Sequence, residues 1–355
     1  MKFKKEELNF LNLFSTYTDN SINGDKLRIS VKQDKIYFYQ SSISTKIVYE
    51  TKNLHNDSER EYVLLTSQFL SLIKLCKKDS TVEIKDDFII FDDGARYQIN
   101  NYESEDIDIQ ELLSNAENKE SRVVKDLKKI DSIKSFVGKD TGYNNVVIMD
   151  NHFVSYNDSV LAFTESVNKI KEDKLTSNVL PVLSSFGLEE LEIFNIDDEF
   201  DYIKVDGFHF FFENVDNQIP FIFDDDIKQS YTHTNKVSIN TEDLKYRLKR
   251  INVTSKMNID NKIVFKFCEN KIILKTVESP IAEETLSADV DKELYDFYAI
   301  VYCSDILSIV DNIKNEFIEI QITPDINEVS TIVFKDIENK STYISRLSEY
   351  MEGEN

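Results

Sequence analysis

The sequence predicts an α+β protein made of three similar domains, each with two helices packed on antiparallel sheets. Six short segments have apolar residues at helical spacing, and they form two interleaved series that repeat about every 118 residues. Between them lie runs rich in valine, isoleucine, phenylalanine and tyrosine, in which apolar and polar residues alternate as in strands. A helix that buries one stripe needs a sheet to cover it, so the two patterns predict layered domains.

The predicted helices begin with recognisable capping signals. The first series covers residues 5–17, 122–136 and 240–251, and the second covers residues 67–78, 181–187 and 304–315. Asn240 precedes two acidic residues, which is typical of a helix start. Pro181 fits only the first turn of a helix, so that helix is predicted to begin there and to be short.

Two polar segments are interpreted as linkers between the domains. Residues 103–121 are acidic and polar, and residues 214–236 contain Pro220 and three consecutive aspartates. The predicted domains are therefore residues 1–118, 119–235 and 236–355.

Composition limits the class of protein. The chain has 355 residues, 41% of them hydrophobic, and a net charge of −23, which is enough apolar material for a folded core. It contains no apolar run of about 18 residues for a membrane helix, and the N-terminal segment does not resemble a signal peptide. The cysteines, Cys76, Cys268 and Cys303, are far apart in apolar stretches and are expected to be reduced thiols of a cytoplasmic protein.

Catalytic motifs are not found in the sequence, and we expect neither enzyme activity, nor a cofactor, nor a bound metal. The seven glycines are not spaced as in dinucleotide or phosphate loops, and the four histidines are isolated. Acidic clusters at residues 92–93, 197–199 and 224–226 are interpreted as solvated turns rather than metal ligands.

Positive charge is concentrated on four of the six predicted helices, although the chain is strongly acidic. These helices are predicted to face a polyanion through sequence-independent Lys and Arg contacts with phosphates. The alternative is that they are ordinary amphipathic helices with basic outer faces. The candidate DNA-facing residues are Lys4, Lys5, Lys74, Lys77, Lys78, Arg122, Lys125, Lys128, Lys129, Lys134, Lys245, Arg247, Lys249 and Arg250.

This layout resembles that of the bacterial-type sliding clamps, the processivity factors of replicative DNA polymerases. The most similar segments are residues 64–91, 149–163 and 340–350, although Asp158-Ser159 stands where the family has Asp-Gly. The bias toward Asn, Lys, Ile and Asp suggests a low-GC genome and a bacteriophage version. The resemblance implies a head-to-tail homodimeric ring whose helices surround duplex DNA and contact it directly and through water.

The family also implies two protein-binding surfaces. A pocket between domains 2 and 3 would bind short peptides of the DNA polymerase and the clamp loader. Carried over by position, it would contain Val160, Leu161, Phe163, Pro220, Ile344 and Leu347. The dimer interface would place Leu72, Leu75 and Cys76 of one subunit against Ile251 and Val253 of the other.

Three other functions remain compatible with parts of the sequence. A clamp-like ring that tethers transcription or repair proteins would have the same physical features. An acidic DNA mimic would bind DNA-binding proteins, but it predicts no basic face. An enzyme with a carboxylate-bound metal would need its acidic residues on rigid strand ends.

Overall fold

A computed structural model describes most of the chain, which forms two compact units. Unit 1 contains residues 1–124 and 178–215, and unit 2 contains residues 125–177 and 216–355. The described residues are 1–54, 57–100, 102–103, 107–117, 119–138, 144–149, 151–157, 159–168, 172–196, 200–213, 230, 235–258, 260–322, 331–347 and 349–351. All strand pairs given for these residues are antiparallel, which confirms the predicted α+β class.

Unit 1 contains two sheets. The first has the strand order β1 (Lys2–Lys4), β6 (Thr81–Lys85), β7 (Phe88–Phe91), β8 (Arg96–Gln98). The second has the order β5 (Arg60–Leu65), β2 (Lys26–Val31), β3 (Lys35–Ser41), β4 (Thr45–Lys52), β16 (Phe208–Glu213), β15 (Phe200–Val205), β14 (Glu190–Ile196), β9 (Ser121–Lys125). The pairing of β4 with β16 therefore joins strands that lie in different predicted domains.

Unit 2 repeats this plan. Its larger sheet has the order β13 (Glu172–Thr176), β10 (Asn145–Met149), β11 (His152–Tyr156), β12 (Val160–Glu165), β25 (Ser341–Arg346), β24 (Thr331–Asp336), β23 (Phe317–Ile322), β17 (Lys236–Asn240), β21 (Asp289–Val290). Its smaller sheet has the order β20 (Glu283–Ser287), β19 (Lys271–Thr276), β18 (Lys262–Cys268), β22 (Tyr298–Tyr302), β26 (Glu349–Met351). Here the pairing of β12 with β25 joins the second and third predicted domains.

Four predicted helices are confirmed with small shifts of their ends. They are α2 (Thr66–Leu75), α4 (Leu180–Phe186), α5 (Thr241–Ser255) and α6 (Cys303–Asn312). The side chain of Asn240 caps α5 by accepting a hydrogen bond from the backbone N–H of Asp243, with an N–O distance of 3.0 Å. Pro181 lies in the first turn of α4, and Gly187 ends that helix with φ of 60°.

The predicted helix at residues 5–17 is only partly correct. Lys2–Lys4 form strand β1, Lys5–Leu8 form a 3₁₀ turn, and helix α1 covers only Leu11–Thr16. Tyr17, at the end of α1, contacts the rings of Phe210 and Phe212 with centroid distances of 6.3 and 6.1 Å. The helix is therefore placed by its aromatic side chains against one face of the larger sheet of unit 1.

The predicted helix at residues 122–136 is wrong. Its first residues form the edge strand β9, since Val123 and Val124 are β-branched and favour a strand. Asp126 has φ of 63°, a left-handed backbone conformation that a right-handed helix cannot contain. Two short 3₁₀ turns at Leu127–Ser132 and Lys134–Phe136 then take the place of the helix.

The interpretation of residues 103–121 as a linker is also wrong, because they contain helix α3 (Ile109–Glu117). Asp108 caps it by accepting hydrogen bonds from the backbone N–H groups of Gln110 and Glu111, at 2.9 and 3.2 Å. Its apolar stripe packs on the side of the larger sheet opposite α1. The cluster contains Tyr37, Tyr39, Val48, Ile109, Leu113, Ala116, Tyr202 and Phe211.

We expect Leu113→Asp to lower the free energy of unfolding by about 3 kcal/mol or more, because it removes a buried side chain and places a carboxylate in an apolar cluster. Chemical denaturation followed by circular dichroism measures the change. Asn115→Asp adds the same charge to the exposed face of α3 and is the control. Equal stability of the two variants would contradict the packing of α3 on the sheet.

Candidate functional site

Helix α5 carries the densest group of predicted DNA-facing cations. Leu244, Leu248 and Ile251 form its buried stripe, and the basic residues lie on its other sides. All four cations form ion pairs with carboxylates. The pairs are Lys245 with Asp311 (3.0 Å), Lys249 with Asp311 (3.6 Å), Arg247 with Asp243 (3.3 Å) and Glu284 (3.1 Å), and Arg250 with Glu284 (3.0 Å). The positive charge predicted from the sequence is therefore largely neutralised in place.

An exposed aromatic residue lies among these cations. Tyr246 is 56% exposed, and the guanidinium carbons of Arg247 and Arg250 lie 5.8 and 5.5 Å from its ring centroid. Both distances allow a cation–π interaction. The ring is thus an exposed apolar surface framed by positive charge.

The cations of residues 122–136 have different roles. Arg122 forms two parallel hydrogen bonds from its guanidinium to the carboxylate of Asp201, at 3.1 and 3.0 Å, and Asp201 is buried. This pair links β9 to β15, so Arg122 supports the sheet, and its assignment as a DNA-facing residue stays a prediction. Lys129 pairs with Asp126 at 3.1 Å, Lys134 pairs with Asp131 at 2.6 Å, and Lys128 is exposed.

Lys5 is also used within the protein. Its ammonium group donates hydrogen bonds to the backbone carbonyls of Lys74, at 3.4 Å, and of Cys76. Those carbonyls lie at the C-terminal end of α2, where a cation is favoured by the helix dipole. The assignment of Lys5 as a free DNA-facing cation is therefore not supported by its contacts.

The remaining predicted cations are exposed and unpaired within the part of the chain that the structure describes. They are Lys4, Lys74, Lys77, Lys78 and Lys125. Three of them lie at the end of α2 or directly after it. These five lysines can bind phosphates without first breaking an ion pair with a carboxylate.

An apolar cluster lies on one face of the larger sheet of unit 2. It contains Val147, Val154, Leu161, Phe163, Val333 and Ile344, and the partly buried Met149 and Tyr156 pack against it. Leu161 is paired with Ile344 across β12 and β25. Three of the predicted pocket residues, Leu161, Phe163 and Ile344, are thus brought together on one face of the sheet, where all three are buried.

Two other predicted pocket residues are not part of this apolar cluster, and a third lies outside the described residues. Val160 is the strand neighbour of Leu161 and points to the opposite face of the sheet, outside the apolar cluster, so its assignment to the pocket is wrong. Leu347 is half-buried just after β25. Pro220 is not among the described residues. Sequence reasoning missed Met149 and Tyr156, which the alternation along β10 and β11 would have placed on the same face.

The predicted interface residues of unit 1 line a cavity of about 410 Å³. Leu72, Leu75 and Cys76 border it together with Phe91 and Tyr97. Leu75 is 86% exposed, an unusual position for a leucine in a folded protein. Strand β8, an outer strand of its sheet among the described residues, contributes Tyr97 to this cavity, and all three of its residues are exposed.

The two predicted interface residues of unit 2 differ from each other. Val253 is 66% exposed on α5, whereas Ile251 is 1% exposed and belongs to the core. The assignment of Ile251 to an interface is therefore wrong, because its side chain points inward. Strand β20 lies at one edge of the smaller sheet of unit 2, so it is also an outer strand among those described.

The structure shows no group of three or more metal-ligating side chains among the described residues. The acidic segments 197–199 and 224–226 lie outside them. Cys76, Cys268 and Cys303 are free thiols. No helix in the described part of the chain is long and apolar enough to span a membrane.

Comparison with known proteins identifies the fold. Neither a protein-family model nor a curated protein matches the sequence. The structure is similar to the DNA polymerase III beta subunit of Thermotoga maritima, with 15% identity, a TM-score of 0.81 and 98% of each chain covered. The beta subunit of Pseudomonas aeruginosa has 12% identity and a TM-score of 0.78, covering 98% of this chain and 99% of that one.

A third similar structure is the Helicobacter pylori beta clamp bound to a DNA ligase peptide, with 15% identity, a TM-score of 0.73 and 98% and 99% of the two chains covered. All three similarities extend over nearly the whole chain although few residues are identical. The chain therefore has the fold of the bacterial DNA polymerase sliding clamps.

Proposed function

We propose that this protein is a DNA sliding clamp that surrounds duplex DNA and tethers the replicative DNA polymerase. The observation that carries the proposal is the match of the whole chain to beta subunits, with 98% of each chain covered and a TM-score of 0.81 for the one from Thermotoga maritima. Exposed lysines at the end of α2 support it, since they can contact phosphates at any base sequence. In this proposal the protein has no catalytic role. It acts in the cytoplasm, in a bacterium or during bacteriophage infection.

The proposed active form is a homodimeric ring, with domains 1–118, 119–235 and 236–355 in each subunit. The cavity beside Leu75 would accept apolar side chains near Val253 of a second copy. Strands β8 and β20 are outer strands among those described, and pairing them between subunits would satisfy their free backbone groups. Arg96 on β8 and Glu283 on β20 have opposite charges, which favours such a pairing.

The apolar cluster of unit 2 is the proposed binding site for short peptides of the DNA polymerase and the clamp loader. Met149 and Tyr156 are partly exposed at its surface, and Leu161 and Ile344 form its floor. A peptide with aromatic and aliphatic side chains would bury apolar area there. The peptide-bound clamp of Helicobacter pylori has the same fold, which supports a site of this kind.

Encirclement is tested with linear DNA. The protein is incubated with biotinylated linear duplex so that rings thread over the ends, and streptavidin then blocks both ends. We expect protein to be retained in gel filtration on blocked DNA, to be lost from DNA with open ends, and to be released when a restriction enzyme cuts the blocked DNA. Equal retention on open and blocked DNA would mean that the protein binds by contact alone.

The dimer interface is tested with Val253→Asp, which places a charge on an exposed residue and leaves the core intact. We expect this variant to sediment as a monomer in analytical ultracentrifugation at concentrations where the wild type is a dimer, because a buried unpaired charge opposes association. Ile337→Asp alters an equally exposed residue of unit 2 and is the control. A dimeric Val253→Asp variant would show that the interface lies elsewhere.

The peptide site is tested by fluorescence anisotropy with the DNA ligase peptide that the Helicobacter pylori clamp binds. Tyr156→Ala and Met149→Ala each remove apolar surface next to the cluster, and we expect each to weaken binding about 10-fold, or about 1.4 kcal/mol. Tyr298→Ala, at a partly exposed tyrosine of the other sheet of unit 2, should bind normally. Unchanged binding by Tyr156→Ala and Met149→Ala would place the peptide on another surface.

A further inference from the structure

We propose that Glu284 and Asp311 are built-in competitors of DNA phosphates, so that the surface of α5 and its neighbours binds duplex DNA by ion exchange. This inference rests on the proposed function and assigns two acidic residues a role in it. It explains why cations on a candidate DNA-binding helix are already paired with carboxylates.

Glu284 holds two arginines in the way that a phosphate would. Its Oε1 lies 3.0 Å from Nε of Arg250, and its Oε2 lies 3.1 Å from a terminal nitrogen of Arg247. The Glu284 side chain is 11% exposed, whereas Arg250 is 52% exposed. The carboxylate thus approaches the arginines from the protein side and leaves their outer side accessible. Guanidinium groups bind phosphate and carboxylate oxygens with the same geometry.

Asp311 has the equivalent role for two lysines. One oxygen of its carboxylate lies 3.0 Å from Nζ of Lys245 and 3.6 Å from Nζ of Lys249. Asp311 is in α6 and the lysines are in α5, so the pairs cross between two packed helices. Lys249 is 55% exposed and can turn to a phosphate without moving the backbone.

The charges at this surface nearly cancel. Lys245, Arg247, Lys249 and Arg250 face the carboxylates of Asp243, Glu284 and Asp311, and Glu242 lies on the same helix. A surface with four unpaired cations would bind DNA tightly and resist sliding. Lys249 and Arg250 are more than half exposed, and ion pairs of exposed side chains contribute little to stability. Phosphates can therefore compete with the carboxylates for these two cations and be displaced again as the DNA moves.

The exposed lysines of unit 1 provide the contrast. Lys74, Lys77 and Lys78 have no carboxylate partner within the described residues, so they attract DNA directly. The paired cations of α5 then contribute only when DNA is close enough to compete.

The test measures binding of a fluorescent 30-base-pair duplex to the full-length protein by anisotropy over a range of NaCl concentrations. Glu284→Gln and Asp311→Asn keep the shape of each side chain. The first frees Arg250 and leaves Arg247 paired with Asp243, and the second frees Lys245 and Lys249. We expect each variant to bind several-fold more tightly at low salt. We also expect its plot of log K against log salt to be steeper by about one to two units, since each added phosphate contact adds about 0.9.

Glu319→Gln is the matched control. Glu319 is a half-buried carboxylate paired with Lys236 at 3.4 Å, and it points away from the buried Ile318 and Ile320 of the same strand. It makes the same change in net charge without freeing a cation of α5. Adding Arg250→Gln to Glu284→Gln should return the affinity toward that of the wild type, which shows that the freed arginine is responsible.

The outcomes separate this inference from the proposed function. Tighter binding by Glu284→Gln and Asp311→Asn, with Glu319→Gln unchanged, supports it. Wild-type affinity in both variants, or the same gain in Glu319→Gln, overturns it. The retention of wild-type protein on end-blocked DNA is measured separately and depends on neither carboxylate, so it decides the proposed function independently.

Discussion

Main-chain pairing between β4 and β16 in unit 1, and between β12 and β25 in unit 2, is the constraint on which the rest of the structure depends. Each pairing fuses strands from distant parts of the sequence into one continuous sheet. The continuous sheet gives helices one broad face to pack on and leaves the other face to be covered separately. In unit 1 the second face is covered by helix α3. In unit 2 the second face carries the apolar cluster that is proposed to bind peptides.

Ion pairs within the protein decide which Lys and Arg side chains have a positive charge left to attract DNA phosphates. The sequence shows a concentration of Lys and Arg on particular segments, but it does not show where their acidic partners lie. Asp201 is 79 residues from Arg122, and Glu284 is 37 residues from Arg247, so only the fold reveals these contacts. The structure divides the predicted cations into exposed lysines near α2 and paired residues on α5, and this division shapes the proposed DNA contact.

The elements that sequence predicts well are those with a local physical cause. Asn240 and Pro181 mark helix starts because capping and a fixed φ angle act within a few residues. Residues 122–136 were predicted as a helix because their charges and apolar residues are suitably spaced, but strand pairing of β9 at the sheet edge prevails there. The pattern of Ile109, Leu113 and Ala116 was a usable signal for α3 that the acidic surroundings concealed.

Site residues are harder to predict because a shift of one position reverses the direction of a side chain. Leu161 and Val160 are adjacent on β12 and point to opposite faces of the sheet, and on α5 Val253 is exposed whereas Ile251 is buried. A further consequence follows from the backbone pairing itself. Hydrogen bonds between N–H and C=O groups are made by almost any side chain, so such a framework tolerates extensive substitution. A fold held together by backbone pairing can therefore be kept while its sequence diverges until little similarity is left.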